Sequence, residues 1–552
     1  MTAFYLNLAK FIELKSLLIL LFLSFSTLLW AQKPKDLIVE YAEDFDRNQT
    51  EIPDAVLLTG KVKILHDGVI ITCNKAYYFE KENYAKLFGE VQMVQGDTLF
   101  LNSKYAEYSG NEKKAYATGN PVLRSPDMTL TTDTINFDRN IQQAYYNSFG
   151  RIINKDNTLT SNAGRYYATE KKFQFLSTVT ITNPKYVIKS NHVDYYNNSG
   201  HAYLFGPSTI TSEENFIYTE KGFYDSKKNT GHFLRRSYIK YDDRLIEGDS
   251  IFYNRNNEFA SATRNVKITD TVNKGIVKGH YGEVYKLKDS LMMTRRAVAI
   301  NLVENDSVYI HGEKLMVTGK KGNQVIRAFK NARFYKSDMS GKCDSIHSNT
   351  QKALTQLIGR PVIWNGENQL TGDVIHLIGD NKTEKLDSLK VINNAFIISR
   401  DSLGTGYNQV KGLNMYGKFK DNNLDYVDLV KNTEAIYYVY DDSTLTGIEK
   451  KISSRINITF ENKKINILTS YKNVESQMYP ETELPENARR LRGFVWRGDE
   501  MIKSKEEIFP PEEDAFDEKM QKESKEEAAT ENTPMKIRQE TLNYDKKKET
   551  KK

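Results

Sequence analysis

The chain has 552 residues, a net charge of +6, 34 Tyr, 26 Phe and 12 Pro. So small a charge excess, with no basic block, argues against a nucleic-acid partner. Two cysteines far apart, Cys73 and Cys343, exclude a disulfide framework or a cysteine-built metal cluster.

Lys10 and Lys15 precede an apolar run from Leu17 to Trp30, with the small Ala31 before Gln32. The run is short of the ~20 residues of a membrane-spanning helix. It reads as a secretory signal over 1–31, cleaved near Ala31, which implies export. Residues 32–49 are polar and read as a linker. From about Thr50 the pattern changes to apolar and polar residues in alternation, the mark of a strand with one buried face. Val56, Leu58, Val62 and Ile64 carry it around Gly60.

A phrase then recurs roughly every 30 residues, the sign of units that bury their apolar face only by stacking. A polar pair is followed by aromatic residues, a polar turn and a second strand. Thr72-Cys73-Asn74-Lys75-Ala76-Tyr77-Tyr78 opens one copy. Ser161-Asn162-Ala163-Gly164-Arg165-Tyr166-Tyr167, Ser190-Asn191-His192-Val193-Asp194-Tyr195-Tyr196 and Glu247-Gly248-Asp249-Ser250-Ile251-Phe252-Tyr253 open others. The second strand carries a small residue in its middle, Gly89, Gly119, Ser177 or Gly206. Such a residue marks a bend or bulge, here a corner between two sheets. About thirteen copies run to Tyr479, the last ones more widely spaced, as terminal capping units are. The reading is all-β: an elongated, repetitive jellyroll of two splayed antiparallel sheets, with 50–210 the most regular part and 211–479 its continuation. Residues 480–509, with Arg489, Arg490, Arg492 and Trp496, read as a capping or docking segment. The Glu/Lys-rich tail 510–552 reads as disordered, because it cannot bury enough apolar surface to fold.

Alternation points Leu87, Val91, Met93, Ala117, Leu123, Phe175, Val179, Ile181, Leu204 and Ile210 inward together. They either close a dry core or line a slot for acyl chains. The eight histidines are scattered without metal-ligand spacing, and no nucleophile elbow or phosphate loop is present. Asp242-Asp243 and Asp441-Asp442 fall in turns, where carboxylates are solvated. No enzyme and no cofactor is indicated. A structural or adhesive solenoid without bound lipid is the alternative to a carrier.

The Thr59-Gly60-Lys61-Val62, Gly89-Glu90-Val91 and Gly119-Asn120-Pro121-Val122 strands, repeated after a signal segment, resemble the OstA-like family. That family includes the periplasmic lipopolysaccharide-transport bridge protein and the N-terminal domain of its outer-membrane receptor. The long chain with its charged tail is similar to the large Bacteroidetes-type members. The resemblance implies a periplasmic protein, associated with outer-membrane assembly, that shields lipid A acyl chains in a jellyroll slot. It also implies partners at the two ends: other jellyroll proteins of the bridge, including an outer-membrane receptor.

Overall fold

The computed structural model describes residues 35–531, apart from 48–49, 51–52, 155–156, 273–274, 304–305, 321, 384 and 422. The expected signal segment and the end of the tail from 532 lie outside the described residues. The chain forms two compact units that meet between Pro184 and Lys185, whereas the sequence reading draws its boundary at 210.

In the first unit the strands Val56–His66, Val69–Phe79, Tyr84–Gln95 and Leu99–Ser109 run as an antiparallel meander. Further along, each rung is cut in two. Leu99–Ser109 pairs with both Lys114–Thr118 and Val122–Ser125, and the meander continues to Lys172–Asn183. The second unit repeats the design from Tyr186–Tyr196 to Glu475–Tyr479.

The cut is a corner, and it falls where the small residues predict it. Thr59 pairs with Lys75 and Val62 with Cys73, so Gly60 and Lys61 bulge out, with φ of 76° and 45°. Two residues set opposite one, Asn74, bend the strand sharply. The same left-handed pair recurs at Gly89-Glu90, Gly119-Asn120 and Ser177-Thr178. In the second unit it recurs at Arg235-Arg236, Arg264-Asn265, Lys330-Asn331 and Lys431-Asn432. Most corners therefore use residues with a side chain.

The polar pair that opens each copy is the facing corner on the alternate strand. A small hydroxyl or thiol there donates to the carbonyl two residues on: Cys73 to Lys75, Ser103 to Tyr105, Ser161 to Ala163, Ser190 to His192, Thr219 to Lys221, Cys343 to Ser345. Each bond satisfies a carbonyl that the bulge takes out of the ladder. Both cysteines are free and buried in this role. The outward residue of the pair meets the opposite corner. Glu220 binds Arg235 and Arg236, and Glu313 binds Lys330.

Two expectations are corrected. Within 32–49, Ile38–Tyr41 and Asp44–Asp46 are strands paired to Val56–His66. Ladder bonds to a sheet edge need no apolar side chain, and these strands bury little. Within 510–552, Pro511–Glu531 forms a helix, α1. Pro511 suits the first helical position, and Glu512 and Asp514 in the first turn complement the helix dipole.

Candidate functional site

All ten inward-pointing residues are buried, none more than 7% exposed. In the first unit, one half of each rung builds an aliphatic ladder. Ile64, Ile71, Met93, Leu101, Leu123, Leu130, Ile152, Leu159 and Ile181 pair in register from strand to strand. The other half builds a ladder that alternates large and small: Tyr78, Ala85, Tyr108, Ala115, Phe137, Ala144 and Tyr166. Each ring lies beside the methyl groups of its neighbours, which lets the facing ladder interdigitate.

The second unit repeats both ladders. Ile188, Ile210, Ile217, Ile239, Ile246 and Ile268 form one. Tyr195, Ala202, Tyr224, Gly231, Tyr253 and Ala260 form the other. Among the predicted residues, Met93, Leu123, Ile181 and Ile210 sit on the aliphatic ladders. Leu87, Ala117, Phe175 and Leu204 sit on the opposite arm, and Val91 and Val179 at the corner.

The ladders face each other and leave little space between them. Met93, Leu101 and Leu123 meet Tyr108, Ala115 and Phe137 around a cavity of about 30 Å³, room for about two water molecules. In the second unit Ile239, Tyr241, Ile246 and Tyr253 enclose about 10 Å³. Burial pushes the phenols of Tyr253 on the ladder and of Tyr146 beside it up to about 12, so they stay neutral.

Polar groups tie the two arms together at their free tips. In the first unit the Asp67 carboxylate accepts from Lys113 at 2.7 Å and Lys35 at 3.3 Å. These two bonds hold its pKa at about 2. Arg139 Nη1 donates to the Tyr108 hydroxyl at 2.8 Å, Nη2 to the Asp67 carbonyl at 2.9 Å and Nε to Gln95 Oε1 at 3.2 Å. His66, 1% exposed, shares its Nδ1 with the Tyr108 hydroxyl at 2.7 Å. Burial and the Arg139 charge both push its pKa down. Lys171 bridges to Asp127 at 3.3 Å. In the second unit Arg255 Nη1 donates to the Lys185 carbonyl at 3.1 Å, and Asn215 Nδ2 to the Tyr253 hydroxyl at 2.6 Å.

Residues 480–509 do not close the end of the meander. They run back along the second unit. Leu484 and Leu491 pack on Phe396, Ile398, Ile436, Tyr438 and Ile448. The Gln409 side chain donates to the Arg489 carbonyl and accepts from Leu491 N. Gln369 does the same for Val495 and Arg497. The strap explains why Ala395–Ser399 is buried on both faces. α1 continues the path. Arg296 binds Asp514 and Asp517, and His280 Nε2 lies 2.8 Å from Asp517. Glu513 sits against His311, and burial raises its pKa to about 7.

Sequence reasoning missed the arm-to-arm ties and the strap. A recurring Arg two residues after the last aromatic of a copy's opening strand, at 139 and 255, is the signal that marks the ties. The Gln side chains that hold the strap have no such signature. Asp242 and Asp442 occupy hairpin turns with φ of 44° and 51°, as the turn reading expects. Among the described residues no three of His, Cys, Asp and Glu gather to hold a metal ion.

Residues 34–191 match the family profile described as OstA-like protein. Among solved structures, one similar chain is LptH from Pseudomonas aeruginosa, described as the LptA homologous periplasmic component of the conserved lipopolysaccharide transport device. It is 14% identical with a TM-score of 0.21, and the match covers 26% of this chain and 99% of that one. No curated protein matches.

Proposed function

We propose, from the match of residues 34–191 to the OstA-like profile, that this chain binds and carries lipopolysaccharide in the periplasm, shielding the lipid A acyl chains between its two arms during outer-membrane assembly. The observation that carries this reading is the pair of facing apolar ladders, continuous over every rung of the first unit and repeated in the second. Shielding is worth ~25 cal/mol per Å² of apolar surface removed from water. A groove of repeated Ile, Leu and Ala, without a deep pocket, holds chains yet lets them slide. The arms part at the tips to admit them, since the closed cavities are too small.

Bridge proteins and an outer-membrane receptor dock at the sheet ends in this reading. The last strands, Lys464–Tyr471 and Glu475–Tyr479, each pair on one side only and expose Ile467, Tyr471 and Met478. Unpaired edges of this kind template another strand.

The test is a photo-reactive residue at Val91 or Ile181 in cells. Crosslinking to lipopolysaccharide there, and not at the outward Phe100, is the expected result. No crosslink at any inward position refutes the carrier. The closed packing of the ladders favours the second reading, a structural or adhesive solenoid with a dry core. That reading predicts a folded, lipid-free protein that takes up no added lipopolysaccharide.

A further inference from the structure

Arg139 and Arg255 occupy the same place in the repeat. Arg139 follows the strand Thr134–Asp138, and Arg255 follows Arg244–Asn254. Each guanidinium leaves its own arm and donates to a tip carbonyl of the other, that of Asp67 or of Lys185. Each also lies against the Tyr ladder. Arg139 donates to Tyr108. Arg255 stands over the Tyr186 ring, 5.2 Å from its centre, and beside the Tyr224 hydroxyl.

The partners are neutral. Asp67 is an immediate neighbour of Arg139, yet its carboxylate is taken by Lys113 and Lys35. Neither guanidinium forms an ion pair among the described residues. Arg255 and the buried Tyr224 hydroxyl face each other, and the guanidinium charge pulls against the rise that burial gives the phenol. The larger cavity lies directly under Arg139, walled by Met93, Leu101, Leu123 and Phe137. A cation that holds two arms together over an apolar cleft through bonds to neutral acceptors keeps its charge uncompensated by any carboxylate. The bonds to these acceptors are assisted by the guanidinium charge alone, whereas an oxyanion adds a second, opposite charge, and the planar guanidinium fits a phosphate with two parallel donors.

We propose that Arg139 and Arg255 are latches released by the anionic head of an amphiphile, a phosphate or comparable oxyanion carried on an alkyl chain. The head takes the guanidinium from the tyrosine and the tip carbonyl. The tips separate, and the chain covers the apolar surface that separation exposes. Both halves of the ligand are needed, because a free anion leaves the opened cleft to water and a neutral amphiphile leaves the latch shut. This rests on the acyl-shielding reading above and assigns the head-group contacts within it.

The test uses the full chain with spin labels on Asp97→Cys and Ile141→Cys, exposed residues of facing tips. The native thiols are buried and stay unlabelled. Glu213→Cys with Asn257→Cys reports on the second unit. The probes are dodecyl phosphate, dodecyl maltoside and inorganic phosphate, each below any micelle concentration. Dodecyl phosphate lengthens the inter-tip distance at a concentration at least tenfold lower than dodecyl maltoside, and inorganic phosphate leaves it unchanged. Arg139→Gln lengthens the first pair without ligand and abolishes the tenfold preference there, while Arg139→Lys keeps part of it. Equal action of the two detergents on the wild-type chain, or opening by inorganic phosphate alone, overturns the latch and leaves acyl shielding standing. If neither detergent binds by calorimetry, the shielding reading falls with it. The wild-type comparison decides the matter even if Arg139→Gln fails to fold.

Discussion

Replacing Leu123 by alanine removes the side chain that joins Leu101 to Leu130 in the aliphatic ladder. Leu123 is 1% exposed and walls the cavity of about 30 Å³, so the hole left behind merges with space already there and does not collapse. Leu→Ala at such positions costs about 3–5 kcal/mol. At 1.4 kcal/mol per tenfold, local opening becomes roughly a hundredfold to a few thousandfold more frequent. Hydrogen exchange read by mass spectrometry over Leu99–Ser109 and Met128–Thr132 shows it as a loss of protection of that size. Arg124 next to it faces solvent, and Arg124→Ala stays within about 0.5 kcal/mol. If the arms part to admit alkyl chains, Leu123→Ala penalises the closed state more than the open one, and dodecyl phosphate binds the variant more tightly than wild type. Equal exchange in the two variants refutes the packing argument. Full loss of protection with weaker alkyl binding refutes the claim that the ladders are the surfaces that separate.

Three further outcomes follow from single residues. Gly206 has φ of 79° with nothing within 4 Å of an added Cβ, so Gly206→Ala carries only left-handed strain, about 1–2 kcal/mol. Gly119→Ala meets the same strain plus Lys104 Cβ at 2.8 Å. It loses more protection in its flanking strands, and equal losses would show that the corner is not packed. Burial pushes the thiols of Cys73 and Cys343 up to about 11 and about 12, so neither reacts with Ellman's reagent until denaturant is added. Cys343→Ser is tolerated because Ser103, Ser161 and Ser190 do the same work, whereas Cys343→Ala loses a corner bond and about 1 kcal/mol, read from the denaturation midpoint. The Glu513 carboxyl is raised by burial to about 7 against the pull of Arg296 and Arg333, with Glu313 and Asp514 reinforcing the rise. A raised carboxyl favours the folded contact while protonated, so this contribution is full below pH 4.5 and fades as pH rises through 7. His311 facing it is held at about 4 and stays neutral over that upper range. Amide protection of α1 therefore falls between pH 6 and 8 in wild type and stays level in Glu513→Gln. A falling profile in the variant would place the effect elsewhere.

The repeat made most of the ladder design legible. Tyr78, Tyr166 and Tyr195, each five residues after the corner residue Cys73, Ser161 or Ser190, all point inward, because alternation from a common corner leaves them no other face. The corners were legible where glycine occupies them and silent where Arg235-Arg236 or Lys330-Asn331 does, since a left-handed pair held by cross-strand partners needs no glycine. The helix Pro511–Glu531 escaped the sequence reading because its composition is that of a disordered segment. Its place is held by Arg296, His280 and Asp249, which lie more than two hundred residues upstream.

Local chemistry by itself determined that this chain is a strand-forming repeat with an apolar inner face and polar turns. Side-chain period, β-branched and aromatic content and turn residues are properties of neighbours in sequence. Tertiary structure alone decided that the inner faces meet closely enough to leave about 30 Å³, that Arg139 reaches the Asp67 carbonyl and that the C-terminal strap turns back along the second unit. Those outcomes depend on which rungs the corners bring opposite each other, and no window of local sequence contains both partners.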